Sequence, residues 1–126
     1  MTNLNLVGVW VAVFIIGGFG SVLRLLVDAW VSKRSSGRLP FGTLAINLSG
    51  AFILGFLDGV ALPKHEALIF GTGLIGAYTT FSTWMFETQR LGEERQLMRA
   101  FTNLWISMVA GVGLGVLGLW LGGLCA

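Results

Sequence analysis

The segment GAYTTFSTW, from Gly76 to Trp84, places hydroxyl groups, glycines and aromatic rings inside an otherwise apolar stretch of the chain. Glycine and β-branched threonine both weaken a helix, so the segment favours an interrupted helix. An interruption frees backbone carbonyls, which suit a cation such as Na⁺, and it frees amides and hydroxyls, which suit an anion. The positive edge of a phenyl ring is a further weak partner for an anion. We therefore predict that this segment binds ions.

Two pairs of polar residues are spaced by four, so the members of each pair share one face of a helix. Thr43 and Asn47 lie in the second apolar stretch, and Asn103 and Ser107 lie in the fourth. A polar group buried in lipid needs a partner. Each pair is therefore either part of a polar pathway or a source of hydrogen bonds between helices, and the spacing leaves both interpretations open.

Two charged residues lie at the ends of apolar stretches. Arg24 follows the first stretch, and a cation near the membrane interior is costly and usually functional. It would attract anions, unless it forms an i,i+4 pair with Asp28. Glu87 ends the apolar part of the third stretch. It faces either a water-filled vestibule or the membrane interface.

The elements that must position these residues follow from the composition. The chain has 126 residues, of which 55% are hydrophobic and 11% charged, whereas soluble domains carry about 25% charged residues. Its mean hydropathy is +0.82. Four uncharged stretches approach the ~20 residues that cross a bilayer, where spans must be helical. We predict one all-α membrane domain over residues 1–126, with four transmembrane helices and a break in the third. The predicted spans are 6–30, 41–62, 67–89 and 100–123.

Several other classes do not fit the sequence. The few cations are scattered, which does not favour nucleic-acid binding. The chain has neither a phosphate-binding loop motif nor a nucleophile, base and orienter set, so we do not expect an enzyme.

The distribution of lysine and arginine predicts the orientation of the chain in the membrane. Six basic residues lie in or beside the first and third loops, whereas the opposite side has only Lys64. The six are Lys33, Arg34, Arg38, Arg90, Arg95 and Arg99. We predict a multi-pass protein of the plasma (inner) membrane, with both termini outside and loops one and three in the cytoplasm.

Small residues at four-residue spacing predict close contacts between helices. Four helices of this length enclose little space, so a pathway for a solute needs an oligomer. The spaced residues are Ala51, Gly55 and Gly59 in the second span and Gly111, Gly115, Gly118 and Gly122 in the fourth.

Three motifs, GGFGSVLR, PFGTLAINLSG and GTGLIGAYTTFSTWMFE, together resemble the Fluc-type fluoride channels of microorganisms. They cover three of the four spans in the right order. The resemblance implies an antiparallel (inverted) dimer with two pores, through which cytoplasmic fluoride leaves passively. It also implies one Na⁺ at the dimer centre that is structural and is not transported.

The resemblance also assigns residues to these sites. Backbone carbonyls of Gly76 and Thr79 would bind Na⁺, Arg24 would lie in the vestibule, and Glu87 and Thr43 would lie near the pore. Members of the family usually have phenylalanine where this chain has Trp84, whose ring is larger and carries an N–H donor. The implied pore residues are Asn47, Phe81, Ser82, Thr83, Trp84, Asn103 and Ser107.

The expected partners are fluoride, the lipid bilayer and a second subunit, with no nucleic acid. Single-gene members of the family have dual topology and form inverted homodimers, whereas paired members have strong, opposite charge biases. The six-to-one bias favours a paired homologous subunit over a second copy of the chain.

Two alternatives stay open at this point. A small four-helix drug/proton antiporter would need a carboxylate within a span, and residues 6–23 have none. A structural membrane subunit without transport would have no use for a weakened helix.

Overall fold

A computed structural model describes residues 3–34 and 41–126, and every regular element within them is a helix. The all-α prediction is therefore confirmed for this part of the chain. The elements, in chain order, are α1 (Asn3–Arg34), α2 (Phe41–Val60), α3 (Lys64–Ala67), a π-helical stretch (Leu68–Ile75), α4 (Gly76–Tyr78), α5 (Ser82–Glu93) and α6 (Leu97–Leu124).

Three helical segments in the described part of the chain are long and apolar enough to cross a membrane. They are Asn5–Arg34, Phe41–Val60 and Leu97–Leu124. The remaining apolar stretch is helical in two pieces, residues 64–78 and α5, which are each too short to count as a span by length.

Residues 79–81 lie between these two pieces and outside any helix. Thr79 has an extended backbone, with φ −81° and ψ 161°. Its amide and its hydroxyl both donate to Ile75 O, at 3.0 and 3.1 Å. Thr80 Oγ1 accepts from Thr83 N at 3.2 Å, which satisfies an otherwise unpaired amide in the first turn of α5. The two threonines therefore end one helical piece and begin the next.

The packing of α2 against α6 depends on glycine. A Cβ atom on Gly55 would collide with Gly115 O, and one on Gly118 would collide with Phe52 O. The two backbones thus meet directly, as the spacing of small residues predicted. A similar contact brings α1 against the third stretch, where a Cβ on Gly20 would collide with Leu74 O.

The buried hydrophobic core is small, while the outer faces of α1 and α6 carry large exposed apolar side chains. Exposed apolar surface on this scale is typical of a protein that contacts lipid. The buried hydrophobic residues are Ile46, Ile75, Tyr78, Leu91 and Ala100.

Candidate functional site

Asn47 on α2 holds Thr80 by two hydrogen bonds. Its Nδ2 donates to Thr80 O, and its Oδ1 accepts from Thr80 N, both at 2.8 Å. In a continuous helix Thr80 N would donate to the carbonyl four residues earlier, that of Gly76. Because Thr80 N is bound to Asn47, it makes no hydrogen bond to Gly76 O. Asn47 therefore replaces a helical hydrogen bond and leaves this carbonyl available.

Backbone carbonyls are the cation ligands that this region offers. Within residues 3–34 and 41–126, no group of three or more His, Cys, Asp or Glu side chains is placed to bind a metal ion. Gly76 is exposed and has the carbonyl released by Thr80, and the extended backbone of Thr79 turns its carbonyl away from the helical direction. The two carbonyls therefore fit the chemistry of a Na⁺ site, but two ligands from one chain do not complete it.

An open groove of about 650 Å³ runs along α2 beside the interrupted stretch. Five of the predicted site residues line this groove, and six others that the structure describes do not. The lining residues are Asn47, Gly76, Thr79, Phe81 and Trp84. The other six are Arg24, Thr43, Thr83, Glu87, Asn103 and Ser107. The side chain of Ser82, also predicted to line the pore, lies outside the described part of the structure.

Phe81 and Trp84 form an edge-to-face pair, with ring centroids 5.5 Å apart and an interplanar angle of 79°. Phe81 is 69% exposed, so most of its ring points away from its own chain. The Nε1 atom of Trp84 is buried and has no hydrogen-bond partner among the described residues. The indole at this position therefore contributes ring contacts within the chain, while its N–H group stays unpaired.

Thr43 connects α2 to α5. It is 3% exposed, and its hydroxyl donates to Glu87 Oε1. Glu87 itself is half-buried. Thr43 and Asn47 thus both bond to the third stretch, at Glu87 and at Thr80. For this pair the structure shows the hydrogen bonds between helices that the spacing left as one of two interpretations.

The second predicted pair behaves differently, because its two members do not share a role. Asn103 is 1% exposed, and its Nδ2 donates to Thr88 Oγ1 at 2.8 Å. Thr88 in turn donates to Trp84 O at 2.8 Å. Ser107 Oγ is buried without a hydrogen-bond partner in the described part of the chain. The sequence reasoning missed Thr88, whose position four residues after Trp84 permits this bond to the preceding turn.

Arg24 does not pair with Asp28. The only ion pair among residues 3–34 and 41–126 joins Arg90 to Glu94. The Asp28 carboxylate instead packs against Gly42, in the first turn of α2, where a helix favours negative charge. Arg24 is half-buried and lies one turn beyond Gly20, the glycine through which α1 contacts the third stretch. Its charge is therefore available to an anion.

Comparison with known proteins identifies the family. Residues 11–119 match the model of a family described as CrcB-like protein, Camphor Resistance (CrcB). The chain belongs to the CrcB family. This match and the relatives described next together confirm the resemblance that the three sequence motifs indicated.

Several curated proteins are similar to this CrcB chain over most of its length. "Fluoride-specific ion channel FluC 2" of Mycobacterium tuberculosis (strain ATCC 25618 / H37Rv) is 56% identical over 115 residues, which cover 91% of each chain. The protein of the same name from Mycolicibacterium paratuberculosis is 59% identical over 108 residues, or 86% of this chain and 88% of the relative. "Fluoride-specific ion channel FluC 1" of Leifsonia xyli subsp. xyli is 44% identical over 117 residues, or 90% and 85%.

The names of these relatives are those of ion channels, and the CrcB chain belongs with channels rather than enzymes. The three long apolar helices found among the described residues agree with that class. Together, the relatives and the helices indicate a multi-pass membrane protein.

Proposed function

We propose that this CrcB chain is the subunit of a fluoride-selective channel that lowers cytoplasmic fluoride by passive efflux. The observation that carries the proposal is the gap at residues 79–81, which Asn47 holds open next to the exposed ring of Phe81. The names of the relatives supply the ion. Fluoride enters acidified cells as HF and dissociates inside, and a membrane potential that is negative inside then drives the anion outward.

Fluoride is small and strongly hydrated, so a pore must replace its water with several donors that do not hold it too tightly. Uncharged donors meet this requirement. We assign the ring edges of Phe81 and Trp84 and the hydroxyls of Ser82, Thr83 and Ser107 to this role. Asn47 and Asn103 are assigned to the pore as well; in the single chain their amides bond to Thr80 and Thr88, so they act first by fixing the lining.

Two further groups act on the approach of the anion. Arg24 has no ion-pair partner among the described residues, so its charge raises the local positive potential of a vestibule. The hydrogen bond from Thr43 to Glu87 satisfies one oxygen of a half-buried carboxyl group near the pore.

The functional unit is an antiparallel (inverted) dimer with a structural Na⁺ at its centre that is not transported. One chain offers the carbonyls of Gly76 and Thr79, and a subunit related by a two-fold axis would add two more. The open groove and the exposed ring of Phe81 support this proposal, because a second subunit would cover both. When bound, Na⁺ would fix the four carbonyls around one point.

The bias of basic residues supports one orientation, with both termini outside and loops one and three in the cytoplasm. Such a chain would need a paired homologous subunit of opposite orientation rather than a second copy with dual topology. An epitope tag at the C-terminus tests this proposal. Comparable amounts of tag at the two faces of the membrane would contradict it.

Growth on fluoride tests the function in cells. Bacteria that lack their own fluoride exporter should grow on fluoride in acidic medium when they express this chain, with its paired subunit if the chain needs one. A Phe81→Leu variant, expressed at the same level, should rescue growth much less because it lacks the aromatic edge. Equal rescue by both chains would contradict the assigned pore, and no rescue by either would contradict the function.

A further inference from the structure

A second groove lies on the outer surface, away from the ion site, where the end of α1 meets the first half of α2. Its volume is about 410 Å³. All but one of the residues that line it are apolar, and the exception is Arg34. The main lining residues are Trp30, Val31, Arg34, Phe41, Leu44 and Leu48.

Arg34 is held at this groove by two contacts with Trp30. Its guanidinium carbon lies 4.2 Å from the centre of the indole ring, and its Nη1 donates to Trp30 O at 3.2 Å. It has no carboxylate partner within residues 3–34 and 41–126. A guanidinium has five N–H donors and binds phosphate through two of them at once. The guanidinium of Arg34 is therefore oriented and unneutralised beside the apolar groove, where it can bind a phosphate group.

The position of this pair along α1 sets its depth in the membrane. The apolar segment Asn5–Arg34 ends at Arg34, and Lys33 precedes it. Trp30 is 59% exposed and lies one turn closer to the centre of the span. Tryptophan at the end of a span typically lies at the level of the headgroups. We therefore expect Arg34 at the level of the headgroup phosphates, with Leu44 and Leu48 continuing the groove along α2 toward the hydrocarbon.

We propose that this groove binds one anionic phospholipid, with its phosphate on Arg34 and an acyl chain along the apolar lining. The charge of Arg34 favours an anionic lipid over a zwitterionic one, because only the former brings a net negative charge to an unneutralised cation. One basic residue near the membrane surface should favour binding of an anionic lipid over a zwitterionic lipid by about fivefold. The inference does not depend on the proposed transport function.

Tryptophan fluorescence provides the test. In the reporter, Trp30 is the only tryptophan left after the other four are replaced by phenylalanine. The reporter is placed in phosphatidylcholine vesicles that contain either brominated phosphatidylglycerol or brominated phosphatidylcholine as the quencher. Quenching by the anionic lipid should reach its midpoint at a mole fraction about fivefold lower. The Arg34→Gln variant should abolish this difference, and Arg99→Gln, which removes an exposed arginine on α6, should keep it.

A second reporter separates the groove from general attraction to anionic vesicles. It retains only Trp120, which is 62% exposed on α6, and it should be quenched equally by the two lipids. The same preference at Trp120, equal quenching at Trp30, or a preference that survives Arg34→Gln would each overturn the proposal. Absence of any quenching at Trp30 would overturn it too, because protein would then cover the ring.

The unmodified chain gives an independent measurement that requires no tryptophan replacement. Released from phosphatidylglycerol-containing membranes in mild detergent, it should retain one phosphatidylglycerol in native mass spectrometry. Arg34→Gln should reduce this retained lipid about fivefold, and Arg99→Gln should not. Equal retention by the two variants would contradict the assignment of the headgroup to Arg34.

Discussion

Replacing Asn47 by leucine keeps a side chain that branches at Cγ and removes both hydrogen bonds to Thr80. The amide and the carbonyl of Thr80, each bound to Asn47 at 2.8 Å, then lose their partner. Thr80 is 8% exposed, so water reaches these groups poorly. An unsatisfied buried polar group costs about 1–3 kcal/mol, so the loss of both bonds should destabilise the gapped form by about 2–6 kcal/mol, and the unfolding free energy should fall by up to that amount.

The substitution should also affect transport. Once released, the amide of Thr80 can return to the Gly76 carbonyl, which restores a continuous helix and closes the gap. Each 1.4 kcal/mol is a factor of ten in population. The lower end of the expected cost therefore lowers the ratio of the gapped to the continuous form more than about tenfold, and fluoride efflux should fall.

Two assays measure these effects on the same protein preparation. Titration with sodium dodecyl sulfate in mixed micelles gives the unfolding free energy, and a fluoride electrode gives efflux from liposomes at equal protein density. Thr102→Val is the matched control, because among the described residues the Thr102 hydroxyl bonds to Met98 O on its own helix and to no other helix. The control should stay within about 0.5 kcal/mol of the parent. An Asn47→Leu chain that matches this control in stability and in flux would refute the reasoning.

Further substitutions test other parts of the structure. Gly55→Ala drives a methyl group into a carbonyl of α6 and should cost about 1–3 kcal/mol, whereas Gly113→Ala, with nothing within 4 Å of the new carbon, should not destabilise. Equal results in the detergent titration would contradict direct contact between the two backbones. Ala61 has a φ of 60°, so Ala61→Gly removes about 1–2 kcal/mol of backbone strain against an entropic cost of about 0.5–1 kcal/mol. The Tm of thermal unfolding should therefore not fall. A Tm lowered by several degrees would contradict the strain at this residue. Asn103→Leu should lower the unfolding free energy by about 0.5–1.5 kcal/mol, because a hydrogen bond to α5 is lost. Ser107→Ala removes an unpaired hydroxyl and should be neutral or stabilising in the detergent titration. A larger loss of stability in the serine variant would be inconsistent with the structure.

The apolar stretches of the sequence are where the helices form, because hydropathy and the demands of the backbone in lipid act locally. The ends of the helices do not follow from hydropathy alone, because charged residues can extend a helix beyond its apolar stretch. The first predicted span ends at residue 30, whereas α1 continues to Arg34. Lys33 and Arg34 lie in the last turn of α1, and they can extend the helix because cations are favourable at its C-terminal end.

Hydrogen-bond partners in the candidate site did not follow from spacing. A spacing of four residues correctly placed Thr43 and Asn47 on one face of α2, but their partners Glu87 and Thr80 lie 44 and 33 residues further along the chain. Which residues meet depends on how closely the helices approach, and on α2 the contact of Gly50 with the Thr79 side chain brings the third stretch near. Asp28 shows the same limit, since it packs on α2 and not on Arg24, four residues away on its own helix.

The most direct test of the proposed function is fluoride efflux from liposomes, followed with a fluoride electrode and with chloride efflux as the control. One preparation contains the purified chain alone, and another adds the paired homologous subunit. The account predicts selective loss of fluoride in at least one of the two preparations. Loss of chloride at the same rate as fluoride, or no flux in either preparation, would contradict a fluoride-selective channel.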